Sequence, residues 1–285
     1  MTNTTSSNDR LRALKNSAGI YALPSIYAAF NKKLADPKTT NIQLADVIQL
    51  DAGLTSYLLK IVNSPLYGFS SSISNISHAI SIVGRQELAT LVIGKCVVDV
   101  FSNIDVKPEA LEAHWKTSLT CAILAKNIAA QSQRSESPET FFVAGLIHGI
   151  GKLVIWREYP KAEEKYRELG SINDYLQYEH VLLGTDYPSI GAHMASDWGL
   201  PLFLVNTTQF HLNFAKAIQD LNVAVVFLAL QLVKLTESLT VDTWEDNDDL
   251  NCLMKQLELS NESLQQVVNL SKAQFTDMRS IVSGH

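Results

Sequence analysis

The chain has 285 residues, 46% of them hydrophobic and 18% charged. A chain of that size buries roughly three-quarters of its surface without disulfides or a structural metal, which excludes disorder over most of its length. The formal net charge of −6 repels phosphate backbones and no local basic patch offsets it, so nucleic acid is excluded as a partner.

Met1–Asp9 is rich in Thr, Asn and Ser without an apolar segment, so it is read as neither a signal nor a transit peptide, and residues 1–14 are read as a flexible terminus. Beyond them, apolar residues recur at spacings of three and four instead of two, which predicts an all-α, multi-helical protein. Leu23 and Pro24 open a helix carrying Ile26, Phe30 and Leu34, stopped by Asp36 and Pro37. Thr40 or Asn41 caps a helix through Leu50 with Leu44, Val47 and Ile48 inward. Asp51 caps the next, which holds Leu54, Leu58, Ile61 and Val62 and ends at Asn63, Ser64 and Pro65. A Gly/Ser-rich loop runs to Asn75. A short helix, Ile76–Val83, then meets Gly84 and a longer one from Gln86 to about Phe101.

From Lys107 and Pro108 onward, helices are predicted at 109–132, 138–156, 159–169, 173–183, 186–198, 201–212, 214–238 and 261–282, with an acidic loop, Asp242–Asp249, before the last. That loop lacks the central Gly and terminal Glu of a calcium-binding hand. The helices around Gly84 superficially suggest a helix-turn-helix, but Glu87, Ala89, Thr90 and Leu91 offer little to phosphates or bases. Cys96, Cys121 and Cys252 form neither a CxxC nor a zinc spacing, which fits a reducing cytoplasm. The longest unbroken apolar run, Val223–Leu230, is far short of the ~20 residues that span a bilayer, so no membrane insertion is expected.

The densest local signal is Gly145-Leu-Ile-His-Gly-Ile-Gly-Lys. It is no phosphate loop, because five residues separate Gly145 from Gly151 where four are needed and Leu153 stands where a Ser or Thr belongs. Three glycines so close disfavour a helix unless its backbone closely approaches a neighbouring helix or a ligand, and His148 sits in the middle of that approach. His114 lies one helix back, and helices joined by a short loop run antiparallel, so the two imidazoles are placed to face each other. A hard catalytic metal also wants carboxylates, and none adjoins either histidine in sequence. His193, on a helix with Ile190, Met194 and Trp198, borders the same cleft or packs elsewhere. His78 and His180 lie by helix termini, and His285 is in the tail. No Gly-x-Ser-x-Gly or Cys–His nucleophile arrangement occurs.

His114-Trp-Lys-Thr-Ser-Leu and the glycine-rich segment around His148 resemble the HD phosphohydrolase superfamily. Its pattern is a His, then a His-Asp doublet in Gly-Leu-Leu-His-Asp-Ile-Gly-Lys, then a distant Asp. Ala22-Leu-Pro-Ser-Ile, Leu44-Ala-Asp-Val-Ile-Gln-Leu-Asp-Ala-Gly-Leu-Thr, Leu58-Leu-Lys-Ile-Val-Asn-Ser-Pro-Leu-Tyr-Gly and Ile76-Ser-His-Ala-Ile-Ser-Ile-Val-Gly narrow the likeness. They are similar to the HDOD family, the HD-related output domain of bacterial signalling proteins, and with Glu179 through Pro201 the resemblance covers about residues 15–213. It implies an N-terminal helical part (15–105) packed on an HD-like bundle (106–213), followed by a C-terminal helical extension (214–285).

The resemblance also implies a non-catalytic signal-transduction module that binds partner signalling proteins or a small, nucleotide-like ligand. The Asp of the doublet is Gly149 here, and the distant Asp falls near Leu230. His114 and His148 are therefore remnants of a metal-ligand set, and no catalytic residue, metal or cofactor is assigned. The candidates for the relic cleft are His114, His148, Gly149, Lys152, Asp186, Tyr187, His193 and His211; Tyr187 and His211 stand where the related HD-GYP phosphodiesterases carry further histidines. If Asp186 or Asp197 were brought in, the alternative would be a weak metal-dependent phosphohydrolase acting on a nucleotide or cyclic dinucleotide. A pure scaffold is a third reading, with Tyr67, Gly68 and Phe69 as an exposed apolar surface. No receiver, kinase or cyclase segment fits in the remaining residues, so the module is expected to stand alone.

Overall fold

The computed structural model describes residues 21–132, 137–169, 171–237 and 247–282, and every regular element among them is a helix. The N-terminal part comprises α1 (Ser25–Leu34), α2 (Asn41–Gln49), α3 (Ala52–Val62), α4 (Ile76–Val83) and α5 (Arg85–Val100). The central part comprises α6 (Pro108–Gln131), α7 (Pro138–Ile147), α8 (Ile150–Glu158), α9 (Pro160–Glu168), α10 (Ile172–Leu183), α11 (Tyr187–Asp197) and α12 (Leu202–Phe210). The chain ends with α13 (Phe214–Gln219), α14 (Leu221–Glu237), α15 (Asp248–Gln256) and α16 (Asn261–Val282).

Local capping chemistry sets most of these starts. Thr40 Oγ1 accepts from the Gln43 amide while the Gln43 side chain accepts from the Thr40 amide, which closes a capping box on α2. Asp51 Oδ1 accepts from the Leu54 amide at 2.8 Å and starts α3. Asp51→Ala is expected to cost about 1 kcal/mol of stability, read from urea denaturation, because it leaves an amide of the first turn without its acceptor.

Three boundaries depart from the sequence reading. The helix predicted over 138–156 breaks at Gly149 (φ −100°, ψ 8°) into α7 and α8. The helix predicted over 214–238 breaks at Asp220, whose carboxylate accepts from the Asn222 amide at 2.9 Å in competition with helical backbone bonding. The end of the predicted acidic loop is helical: Asn247 caps α15, and Asp248 and Asp249 lie in its first turn, where the helix dipole favours them. Residues 242–246 of that loop, residues 1–14 and His285 lie outside the described residues.

The buried apolar side chains form one cluster running from Tyr21 to Met278. α6 and α7 are its spine, with α14 and α16 packed against α6. Pro138–Glu158 is long and apolar enough to cross a membrane by composition, and 89% of that window is buried in the fold. The N-terminal part is tied to the spine by Lys126, which is buried, donates to the Leu66 carbonyl at 2.7 Å, lies 3.4 Å from Glu139 and sits 3.9 Å over the Tyr67 ring. Tyr67 is half-buried and stacks on Phe69, which with Gly68 is exposed, so the Tyr67–Phe69 loop presents an aromatic side chain at the surface.

Candidate functional site

The glycines of the α7–α8 segment determine where His148 stands. A Cβ on Gly145 would lie 2.6 Å from Ala122 Cα, so α7 touches the backbone of α6 there. A Cβ on Gly151 would lie 2.0 Å from the Tyr187 carbonyl oxygen and 2.7 Å from the Gly191 amide nitrogen, so α8 touches α11 in the same way. Between these two approaches His148 is 3% exposed, with α6 carrying His114 on one side and α12 leading to His211 on the other.

His148 Nδ1 donates to the Gly145 carbonyl at 2.7 Å, and His211 Nδ1 donates to the Thr208 carbonyl at 2.6 Å. A carbonyl can only accept, so both neutral rings carry their proton on Nδ1 and keep a lone pair on Nε2. In His211 that lone pair accepts from the Tyr187 hydroxyl at 3.1 Å. The His148 and His211 rings meet edge to face at 5.0 Å. Lys152 donates to the Tyr166 hydroxyl at 2.8 Å, and its ammonium lies 4.3 Å and 4.5 Å from the Tyr166 and Tyr187 ring centres.

Burial holds His148 down to about 4, with the Lys152 charge adding to it against the Gly145 hydrogen bond. His114 lies well below its ordinary value through burial, then Lys152 and His148, and His211 does so through burial and then His148. Glu179 behaves oppositely: burial pushes its carboxyl up to about 7, against the Tyr187 amide, the Tyr175 hydroxyl and the Lys152 charge. Its Oε2 accepts from the Tyr187 amide at 2.8 Å.

These shifts have opposite consequences for stability. Each histidine binds protons less readily folded than unfolded, so stability rises as pH climbs from about 4 toward 6.5. Glu179 binds its proton more readily folded, so it removes stability as pH rises from about 4.5 to about 7. With three histidines against one carboxyl, the urea midpoint is expected to rise between pH 4 and 6.5, and Glu179→Gln to make that rise steeper. A wild-type midpoint that falls over this interval would contradict the neutral cluster.

A pocket of about 180 Å³ opens against His114, His148 and Lys152, with Ser118, Trp156 and Glu163 among its walls. His114 and Ser118 are among its walls, and His114 Nε2 and Ser118 Oγ are buried without a hydrogen-bond partner. Glu163 is neutralised by Arg167 at 2.7 Å and Lys107 at 3.2 Å.

The structure thus brings together His114, His148, Gly149, Lys152, Tyr187 and His211; His114, His148 and Lys152 line the pocket, whereas Gly149, Tyr187 and His211 are buried outside its lining. Asp186 is not part of the cluster: it caps α11 through the Ser189 amide at 2.9 Å and pairs with His180 at 3.1 Å. His193 is also placed elsewhere, on a partly exposed face of α11 paired with Asp197 at 3.4 Å, so Asp197 is engaged there as well. Leu230 is buried in α14. A Cβ on Gly149 would lie 3.0 Å from His114 Cε1, so the imidazole occupies the space beside this glycine. Among the described residues no group of three or more His, Cys, Asp or Glu side chains is arranged to hold a metal ion, and the Nε2 of His211 is engaged by Tyr187. The residues present do not fit the metal that the HD pattern implies.

Ser118, Trp156, Glu163, Tyr166 and Arg167 line the pocket without having been singled out in the sequence. Ser118 and Trp156 were within reach, each four residues after His114 and Lys152 and therefore on the same helical face. The other three come from α9, which only the tertiary fold brings over.

The family model described as "HDOD domain" matches residues 20–214. An uncharacterised protein of Treponema pallidum (strain Nichols) is 27% identical over 204 residues, covering 70% of this chain and 38% of its own length, so the chain spans little more than a third of that relative. A structure from Shewanella amazonensis SB2B, provisionally named a phosphohydrolase, has 22% identity and a TM-score of 0.75 over 95% of this chain and 98% of that one. An HDOD domain protein with unknown function from Geobacter sulfurreducens has 23% identity and a TM-score of 0.70 over 95% and 97%. At these identities the two structures share the fold.

Proposed function

The chain belongs to the HDOD family, and on that premise we propose that it is a non-catalytic regulatory module of signal transduction, binding partner proteins or a small ligand at its HD-type cleft. The observation that carries this reading is the local chemistry at Gly149. A metal-activated water needs a carboxylate to help hold the ion, and here a glycine faces the His114 ring instead. The other position for a carboxylate is Leu230, buried among apolar neighbours, and Asp186 and Asp197 are committed to His180 and His193. A general acid or base working at neutral pH would want a proton affinity near that pH, and burial keeps His148 down at about 4.

The test is hydrolysis of nucleotides and cyclic dinucleotides by the full chain with added Mn²⁺ or Fe²⁺, together with metal content. No turnover above the buffer rate is expected. Stoichiometric metal with turnover that disappears in His148→Ala would overturn the reading in favour of a phosphohydrolase.

A further inference from the structure

We propose that the pocket bounded by His114, Ser118 and Lys152 is a receptor for one small oxyanionic group, a phosphate, sulfate or carboxylate, held directly by the Lys152 ammonium without a bridging metal. This rests on the regulatory reading above and specifies what the cleft holds.

Lys152 is 7% exposed. Among the described residues it makes no ion pair, and its neighbours are the Tyr166 hydroxyl and two tyrosine rings. A buried ammonium is costly unless a negative charge accompanies it. Glu179 feels the Lys152 charge, but it is not a wall of the pocket and makes no ion pair with the ammonium. A histidine ring is neutral or cationic, so the three around the ammonium supply no counter-charge. Of the acidic groups lining the pocket, Glu163 is matched by Arg167 and Lys107, and Glu109 is exposed. Among the described residues, the Lys152 ammonium is therefore a buried charge of the pocket wall with no carboxylate paired to it.

The second observation is independent of charge. His114 is 6% exposed and Ser118 1% exposed, both residues are walls of the pocket, and each holds a buried polar atom, His114 Nε2 and Ser118 Oγ, with no hydrogen-bond partner. They are four residues apart on α6, so both point from one face. A buried polar atom left unpaired costs about 1–3 kcal/mol, and a ligand that hydrogen-bonds both the His114 ring and the Ser118 hydroxyl removes both costs at once. Lys152 is a wall of the same pocket, so its ammonium and the two unpaired polar side chains share one small cavity, a setting that suits an oxyanion.

Size limits the ligand. About 180 Å³ is below the roughly 300–1,000 Å³ of pockets that enclose drug-sized molecules. A cyclic dinucleotide does not fit inside; a free oxyanion does, and so does the terminal oxyanionic group of a longer molecule whose remainder lies outside.

The experiment titrates the full chain with inorganic phosphate, sodium sulfate and sodium acetate at constant ionic strength, following the Tm and the calorimetric heat. Saturable binding of at least one of the three is expected. It should weaken at least tenfold in Lys152→Met and several-fold in Ser118→Ala, a substitution small enough to leave α6 intact. Free ions and a longer ligand are separated by comparing phosphate with a phosphorylated alcohol: equal affinity identifies the free ion, and tighter binding of the ester identifies a ligand that extends outward. The proposal is overturned by no saturable binding at millimolar anion, by binding unchanged in both variants, or by binding that appears only with added divalent metal. Absent anion binding together with absent turnover would defeat this proposal and leave the regulatory reading standing, whereas metal-dependent turnover would defeat both.

Discussion

Gly151→Ala is expected to cost about 3 kcal/mol of unfolding free energy, a large part of the stability of an ordinary domain. Its sign opposes local propensity, since alanine in an exposed helix is better than glycine by about 1 kcal/mol. At this position the added methyl would stand 2.0 Å from the Tyr187 carbonyl oxygen and 2.7 Å from the Gly191 amide nitrogen, both backbone atoms that cannot rotate away. α8 and α11 would have to separate, and with them the Lys152–Tyr187 and His211–Tyr187 contacts. Gly149→Ala is the control. There the methyl meets only a side chain, the His114 ring at 3.0 Å, so the cost is expected to stay within about 1 kcal/mol. Urea denaturation of the two variants checks this; equal losses, or a larger one at Gly149, would mean that the close approach of α8 to α11 is not what the glycine serves.

The same contrast explains what the sequence revealed. Helix starts governed by neighbours in sequence were legible: the Asp51 cap, and Thr40 as one of two candidates with Asn41, lie within three residues of the amides they serve, and the helix expected from Ile76 starts where Asn75 accepts from the His78 amide at 2.8 Å. The breaks at Gly149 and Asp220 were not, because apolar spacing continues across both, and at Asp220 the competing interaction is a single side-chain contact to the Asn222 amide. In the site, His114, His148 and Lys152 were found from motif spacing, and the glycines around them announced a close helix contact without naming the partner. Asp186 was misplaced because its carboxylate is consumed locally, by the Ser189 amide at the start of α11, a role that its position before Tyr187 and Pro188 already suggested. Tyr166 and Glu163 reach the pocket only because Pro160 turns the chain from α8 into α9, and periodicity does not encode such a turn.

The second large effect concerns the C-terminal region, which the sequence reading treated as an extension and where the family match stops at residue 214. Physically it belongs to the core. In α14, Val223, Val225, Val226, Leu228 and Leu232 are essentially fully buried, and in α16 so are Leu264, Val267 and Val268. At about 1.5–3 kcal/mol for each fully buried large side chain, before the entropy of ordering them, these eight contribute on the order of the roughly 5–15 kcal/mol by which a whole domain is stable. The polar contacts point the same way: Asn127 of α6 donates to Ser271 and Gln274 of α16 at 2.8 Å each, and Gln274 donates to the Pro65 carbonyl at 3.2 Å, joining the last helix to the first part of the chain. A protein ending at residue 213 is therefore expected to lose cooperative unfolding and near-ultraviolet dichroism and to bind a hydrophobic dye, while keeping much of its helical signal. In the full chain, Asn127→Ala is expected to cost about 1–3 kcal/mol, because two buried polar side chains lose their donor. A truncated protein that unfolds cooperatively with most of its stability intact would show instead that α14 and α16 cover a core already complete without them.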